Sequence, residues 1–368
     1  MDINFLDLKK QYETIDIDKL TDKIKQIISG GQFVGGSYLE TFEKNFAKYN
    51  GTKHAVGVGS GTDALIFSLL GLGIGKGDEV LVPANTFIAT AFAVSHVGAT
   101  PVFVDVNPST YLMDKSIEKY ITDNTKVIIP VHLYGNAVYM PDIMDLADKY
   151  KLLVIEDCAQ AIGAEIEGVK VGKWGNAGAF SFYPAKNLGG LGQGGAVVTD
   201  NKKIANKVRS LGNVGRKEGS WFEYDVVGYN SRLDTINALF LNTCLEHIDD
   251  WNAKRKSVAE IYSKELAIVE GISLPKNNTD HVYHLYEIKL NDKETRDDLK
   301  EYLMTQNIFS GLHYPLSCHK QEIYSGSSVN LKVSEDLSDT LLSIPMHPFL
   351  TEDEIKQVCF VIKKFLEG

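Results

Sequence analysis

From residue 52 to about residue 200, short apolar runs alternate with stretches whose apolar residues recur at helical spacing. "EVLVPA", "TPVFVDV", "KVIIPVHLYG", "LLVIEDCA", "AGAFSFYP" and "GGAVVTD" are continuous apolar runs of strand length. "GTDALIFSLLGLG" and "FIATAFAVSHVG" read as helices, the second ending at Gly98. Strands that are apolar on both faces and separated by helices predict a mostly parallel α/β sheet covered on both sides. After Arg232, the spacing of Ile236, Leu239, Phe240, Leu245 and Ile248 predicts a long helical stretch reaching about Val269. It bridges to a second unit. There "YEIKL" alternates like a half-buried antiparallel strand, Leu299, Tyr302 and Leu303 mark a helix, and "IFSGLHYP" predicts another strand. The closing helix "TEDEIKQVCFVIKKFLEG" opens on Thr351 with Glu354 three residues on, the pattern of a capping box. The expected division is a large domain with an N-terminal helical arm over residues 1–250 and a small C-terminal α+β domain over 251–368.

Composition narrows the class. At 368 residues the chain exceeds one simple core, and 44% hydrophobic with 23% charged residues is ordinary for a soluble globular protein. A net charge of −10 argues against non-specific nucleic-acid binding, which needs a basic surface. The four cysteines, Cys158, Cys244, Cys318 and Cys359, stand far apart with no CxxC pair, so neither a zinc site nor a disulfide framework is expected. The start lacks a signal-peptide core and no run of about 18 apolar residues occurs, so no membrane partner and a cytoplasmic location are expected.

Candidate chemistry centres on "SFYPAKNLGGLGQGG", residues 181–195, where Lys186 sits between aromatics and a glycine-rich tail. Such a lysine can snorkel at the surface, bind phosphate, or form a Schiff base if its ammonium is destabilised. In "LLVIEDCAQAIGA", Asp157 closes an apolar strand, where ligand sites gather in open α/β sheets. It is either a helix N-cap or a buried carboxylate that needs a cationic partner. "GVGSGTDALIFSLL" puts Gly59, Ser60, Gly61 and Thr62 before a helix, where free N–H groups and the helix dipole favour an anion. Ser181 can add a hydroxyl there. In "PANTFIAT", Phe87 is either a core residue or an aromatic surface for a flat ring.

"GSGTDAL", "VPANTFIAT", "IEDCAQAIGA", "SFYPAKNLG" and "GYNSRLDTINA" occur in an order and spacing that resemble the DegT/DnrJ/EryC1/StrS family, from "FLDLKKQYE" to the final helix. The resemblance implies a fold-type I pyridoxal-phosphate-dependent transferase, α/β, with a mostly parallel seven-stranded sheet. It implies Lys186 as the Schiff-base lysine and Asp157 beneath the pyridine nitrogen. Gln160 falls near the phenolic oxygen, Phe87 on the ring, and Gly61, Thr62 and Ser181 at the phosphate. Asn230 matches the asparagine that reaches the phosphate of the neighbouring subunit, which implies a homodimer with shared active sites. Lysine at position 186, where some relatives carry histidine, implies amino transfer.

"SFYPAKNLG" resembles members that aminate C-3 of a dTDP-linked 3-keto-6-deoxyhexose, with L-glutamate as the donor. Tyr183 is then expected at a sugar hydroxyl, and His313 and Tyr314 of "GLHYP" at the sugar or its pyrophosphate. Arg216 and Lys217 of "GNVGRKEG" are either a loop that closes over the diphosphate or a solvated turn. Gln193 stands where many relatives place an acid. The competing expectations are a C-4 nucleotide-sugar aminotransferase and a non-catalytic pyridoxal-phosphate regulatory protein. A Rossmann dehydrogenase is disfavoured, since no GxGxxG opens a βαβ unit with an acid about 20 residues on.

Overall fold

In the computed structural model, which describes residues 2–274, 276, 280–326 and 329–368, the apolar runs become the strands of one central sheet. They are β1 (His54–Val58), β2 (Glu79–Pro83), β3 (Thr100–Val104), β4 (Thr125–Ile128) and β5 (Leu153–Asp157); after the short hairpin β6 (Glu165–Ile166) and β7 (Val169–Lys170) come β8 (Ala177–Ser181) and β9 (Gly195–Thr199). The sheet order is β1-β9-β8-β5-β4-β2-β3, and only β9 runs against the rest. The carboxyl ends of the parallel strands therefore open along one edge, the usual place for a ligand in such a sheet.

Helices cover both faces. The N-terminal arm holds α1 (Leu8–Tyr12), α2 (Ile17–Gly30) and α3 (Ser37–Tyr49), and then come α4 (Gly61–Gly71), α5 (Ala89–His96), α6 (Met140–Tyr150) and α7 (Lys202–Gly212). Helix α4 buries Ala64 through Leu69 without a break, so it is a core helix packed between the sheet, α5 and α7. Helix α7 is amphipathic, burying Ile204, Ala205, Val208 and Leu211.

The helical stretch expected after Arg232 consists of two helices, α8 (Thr235–Leu245) and α9 (Ile248–Leu266), with Val269 beyond the second. The chain breaks at Glu246 and His247, and α9 then crosses from one core to another. Its Ile248 and Trp251 belong to the core of the large sheet, and its Val258, Ala259, Tyr262 and Leu266 to a second core. That second core is built on β10 (Ile272–Ser273), β11 (Tyr286–Leu290) and β12 (Leu341–Ile344), an antiparallel sheet in the order β10-β11-β12. It is flanked by α10 (Lys293–Thr305), α11 (Lys332–Thr340) and α12 (Glu352–Glu367), the last opening on the Thr351–Glu354 capping box.

"IFSGLHYP" is not a strand. Ile308 makes one bridge to Ile3 and Gly311 one to Ser343, so the segment touches two partners in turn and forms a ladder with neither. Arg255 of α9 is buried and donates to the carbonyls of Tyr283 and Met346, at 3.2 and 3.0 Å, fixing the approach to His284. Burial lowers its pKa to about 9. Among the described residues, no helix is long and apolar enough to cross a membrane.

Candidate active site

A cavity of about 460 Å³ opens at the carboxyl edge of the large sheet, a size suited to a small ligand. Its floor is the end of β5. The Asp157 carboxylate is buried; it accepts from the Thr90 hydroxyl at 2.9 Å and from the Ala159 N–H at 3.1 Å. Burial raises its pKa, and these two bonds and the charge of Lys186 oppose that rise. A cation placed against it would be strongly held.

Lys186 lies on the loop after β8, its own N–H bonded to the Tyr183 carbonyl at 2.8 Å. The next residue pins that loop. Asn187 is buried, and its amide donates to Asn252 at 2.9 Å and to the Val282 carbonyl at 3.2 Å. Lys186 keeps partial exposure to the cavity, but crowding by the cavity walls lowers its pKa to about 8, against the opposing charge of Asp157. That is the condition for a nucleophilic amine.

The opposite end is the start of α4. The Ser60 side chain caps the helix by accepting from the Asp63 N–H at 3.0 Å. The N–H groups of Gly61 and Thr62 find no acceptor among the described residues, and the Ser181 hydroxyl lies beside them. A Cβ on Gly61 would stand 2.7 Å from that of Ser181, and one on Gly195 would stand 2.4 Å from the Ser60 carbonyl oxygen. Glycine is required at both positions for the corner to close. The result is an anion site at a helix N-terminus.

The walls are aromatic. Phe87 is 53% exposed, aimed into the cavity, and tilts against Tyr314 with ring centroids 5.6 Å apart. Tyr183 and His313 complete this side. Gln160 also lines the cavity, but its amide is already engaged. Its oxygen accepts from the Tyr134 N–H at 2.7 Å and its nitrogen donates to the Tyr314 hydroxyl at 3.1 Å. Gln193 is on the rim.

Three expected residues lie elsewhere. Arg216 and Lys217 line a separate surface cavity, Arg216 over the Trp221 ring at 5.1 Å and Lys217 paired with Glu223 at 2.8 Å. Asn230 is exposed and accepts from Arg232, outside the pocket of its own chain.

Sequence reasoning did not find Thr90 or His284. His284 lines the cavity with its Nδ1 at 3.1 Å from the Asn187 oxygen, and burial holds it neutral. Behind the floor, His132, Glu156 and Cys158 cluster in the core. Their polar atoms are spent on the protein: the Glu156 carboxylate accepts from the N–H groups of Gly172, Trp174 and Gly175, each at 2.8 Å, and from His132 at 3.1 Å. His132 Nδ1 accepts from the Val138 N–H, so Nε2 carries the proton toward Glu156. The cluster braces the end of β5.

The model of the DegT/DnrJ/EryC1/StrS aminotransferase family matches residues 15–363. The chain belongs to this family. It is 43% identical over 372 residues to a UDP-N-acetyl-3-dehydro-α-D-glucosamine 3-aminotransferase of Acidithiobacillus ferrooxidans, covering 100% of this chain and 98% of that one. It is 40% identical to a dTDP-3-amino-3,4,6-trideoxy-α-D-glucose transaminase of Streptomyces venezuelae, over 99% and 96% of the two chains. Among solved structures it is similar to NtdA from Bacillus subtilis with bound cofactor PMP, at 32% identity and a TM-score of 0.93, over 100% and 86% of the chains. The aminotransferase is a pyridoxal-phosphate enzyme with the expected α/β fold. The cavity fits that cofactor: unpaired N–H donors at one end, a buried carboxylate at the floor, and an amine of lowered pKa between aromatic walls.

Proposed function

We propose that the enzyme moves the amino group of L-glutamate to C-3 of a dTDP-linked 3-keto-6-deoxyhexose, giving a 3-amino-3,6-dideoxyhexose and 2-oxoglutarate. The observation that carries this reading is the meeting of Lys186, Asp157 and the open start of α4 in one cavity, with Tyr183, His313 and Tyr314 on its outer side. When bound, pyridoxal phosphate supplies an electron-withdrawing ring that eases proton removal at the carbon bearing nitrogen. Asp157 holds the proton of the ring nitrogen by its charge. The Gly61 and Thr62 N–H groups and the Ser181 hydroxyl would hold the phosphate, and Phe87 would supply an aromatic surface for the ring. Lys186 would hold the cofactor through its amine and would carry a proton to and from the reacting carbon. Gln160 steadies Tyr314. Tyr183, His313 and Tyr314 orient the sugar and limit water.

A homodimer completes the reading. On the loop after α7, Trp221, Phe222 and Val227 are 74%, 89% and 94% exposed, an apolar surface that a second copy would cover. Arg216, Lys217 and Asn230 belong to the same region and would serve the partner's pocket, where the diphosphate and phosphate lie.

Gly61→Ala tests the phosphate corner. Its new Cβ would push Ser181 away, and the dissociation constant for pyridoxal phosphate is expected to rise at least about tenfold, roughly 1.4 kcal/mol. Equilibrium dialysis with absorbance detection measures this; unchanged affinity would move the phosphate elsewhere.

A second reading, a UDP-linked 3-keto-2-acetamido sugar as acceptor, is favoured by the 43% identity to the Acidithiobacillus enzyme. The two separate in one assay. The enzyme is incubated with glutamate and either dTDP-3-keto-6-deoxyglucose or UDP-3-keto-N-acetylglucosamine, and the products are identified by NMR. The dTDP sugar is expected to be aminated at C-3. Turnover of the UDP sugar alone would install the second reading, and amination of dTDP-4-keto-6-deoxyglucose in a third arm would overturn both.

A further inference from the structure

Glu287 is a carboxylate inside the small sheet, 2% exposed, with one oxygen, Oε2, lacking any hydrogen-bond partner among the described residues. Antiparallel pairing of β11 with β12 sets Ser343 directly opposite it. The backbone of Ser343 also exchanges two 2.9 Å hydrogen bonds with Gly311, two residues before His313. The register thus brings three side chains into line. Ser343 Oγ lies 2.6 Å from Glu287 Oε1 and 2.6 Å from His313 Nδ1. His313 opens onto the cavity that holds Lys186.

We propose that His313, Ser343 and Glu287 form a proton relay, through which a proton taken from a bound substrate at His313 Nε2 is stored on the sealed Glu287 carboxyl and later returned. This rests on the cavity being the aminotransferase active site. With Glu287 ionised, the Ser343 hydroxyl donates to Oε1 and His313 Nδ1–H donates to Ser343 Oγ. That leaves Nε2 as the ring nitrogen available to the pocket, with a lone pair. When Nε2 gains a proton, the Nδ1 proton passes to Ser343 Oγ and the Ser343 proton passes to Glu287 Oε1. The imidazole ends neutral with its proton on Nε2, Ser343 is a hydroxyl again, and Glu287 is a neutral acid. One proton has entered and none has been lost.

Electrostatics favour this path over a simple histidine base. Burial and the charge of Lys186 push the His313 pKa down to about 4, so an imidazolium would not persist. Burial pushes Glu287 up to about 8, with only the Ser343 bond opposing it, so near neutrality it exchanges between the protonated and ionised forms that giving up and taking a proton require. Among the described residues, the hydroxyls of Tyr111, Tyr134 and Tyr314 also face Glu287, each kept protonated by burial. The chemistry has a use for such a store. An amine attacking a keto carbon must lose a proton, and the oxygen that departs as water must gain one.

The test uses holoenzyme and the variants Glu287→Gln and Ser343→Ala. Glu287→Gln is expected to lower kcat for amination of the keto-sugar roughly 10²-fold, the scale of general acid–base catalysis, with cofactor absorbance unchanged. KM is expected to stay within about twofold, since only a step after binding is slowed. Ser343→Ala is expected to do the same, and the double variant to be no worse than either single one, because each breaks the same chain. Infrared difference spectra should show a buried carboxyl titrating near pH 8, absent in Glu287→Gln, with its midpoint moved in His313→Gln, a side chain that does not touch Glu287. Near wild-type kcat in both single variants, or losses that multiply in the double one, would overturn the relay. If wild-type holoenzyme turns over no keto-sugar, the functional reading fails instead, and the His313→Gln midpoint decides the relay alone: a shift supports it and an unmoved midpoint rejects it.

Discussion

Lys186→Ala is expected to leave a folded protein that binds pyridoxal phosphate without a covalent bond and turns over at least roughly 10²- to 10⁴-fold more slowly, the loss typical of removing a general acid–base group. Borohydride reduction followed by denaturation should fix the cofactor to the wild type and not to the variant. The fold should survive because the loop is held by its neighbours: the backbone N–H of residue 186 bonds to Tyr183, and Asn187 is tied to Asn252 and Val282. The lowered pKa gives a second readout. With a pKa of about 8, roughly a tenth of the lysine is neutral at pH 7, against a few parts in ten thousand at the ordinary value. Only the neutral amine attacks a carbonyl. Covalent loading of the apoenzyme should therefore speed up about tenfold per pH unit below 8 and level off above it. A rate still climbing beyond pH 9 would place the amine in bulk solvent, and a reducible adduct in the alanine variant would give the bond to another lysine.

The parts of this protein legible in the sequence are those written in contiguous residues. Val-rich runs buried on both faces announce the central sheet, and a strand end such as Asp157 or a glycine corner before a helix is a local signal with a local cause. Thr351 and Glu354 cap their helix within one turn. The errors arise where distant packing decides. The apolar stripe of Leu245 and Ile248 runs through the junction of α8 and α9, so periodicity continues across a break made only because α9 must leave one core for another. "IFSGLHYP" has the composition of a strand, yet Ile308 and Gly311 pair with different segments.

The site divides the same way. Lys186 and Asp157 stand out because each breaks an apolar context. Thr90 and His284 do not, because a threonine in a helix and a histidine before a strand acquire meaning only from the groups that face them, Asp157 and Asn187. Glu287 and Ser343 are 56 residues apart and look like alternating strand residues until the register sets them opposite each other. Asn230, Arg216 and Lys217 sit outside the pocket of their own chain, and the proposed homodimer would bring them to a partner's pocket. No pattern within one chain reports that geometry.

Asp157→Asn is the companion test, because it removes charge while keeping shape. The carboxylate is buried on the floor of the cavity, and the Ala159 N–H and the Thr90 hydroxyl hold it in place. An asparagine can accept from Ala159 through its oxygen, and Thr90 can turn its hydroxyl to accept from the amide nitrogen. Local packing should then hold. What disappears is the negative charge that would face the ring nitrogen of the bound cofactor. Removing one partner of a buried ion pair costs about 3–5 kcal/mol, which corresponds to a fall in kcat of roughly 10²- to 10⁴-fold if the pair matters chiefly in the proton-transfer step. Covalent attachment at Lys186 should persist, so the reducible adduct separates this variant from Lys186→Ala. The Asp157 charge also raises the Lys186 pKa, so its removal should shift the pH profile of cofactor loading to lower pH. An Asp157→Asn enzyme with kcat within about threefold of wild type would mean that the ring nitrogen needs no proton, and that the carboxylate serves only to order Thr90 and the end of β5.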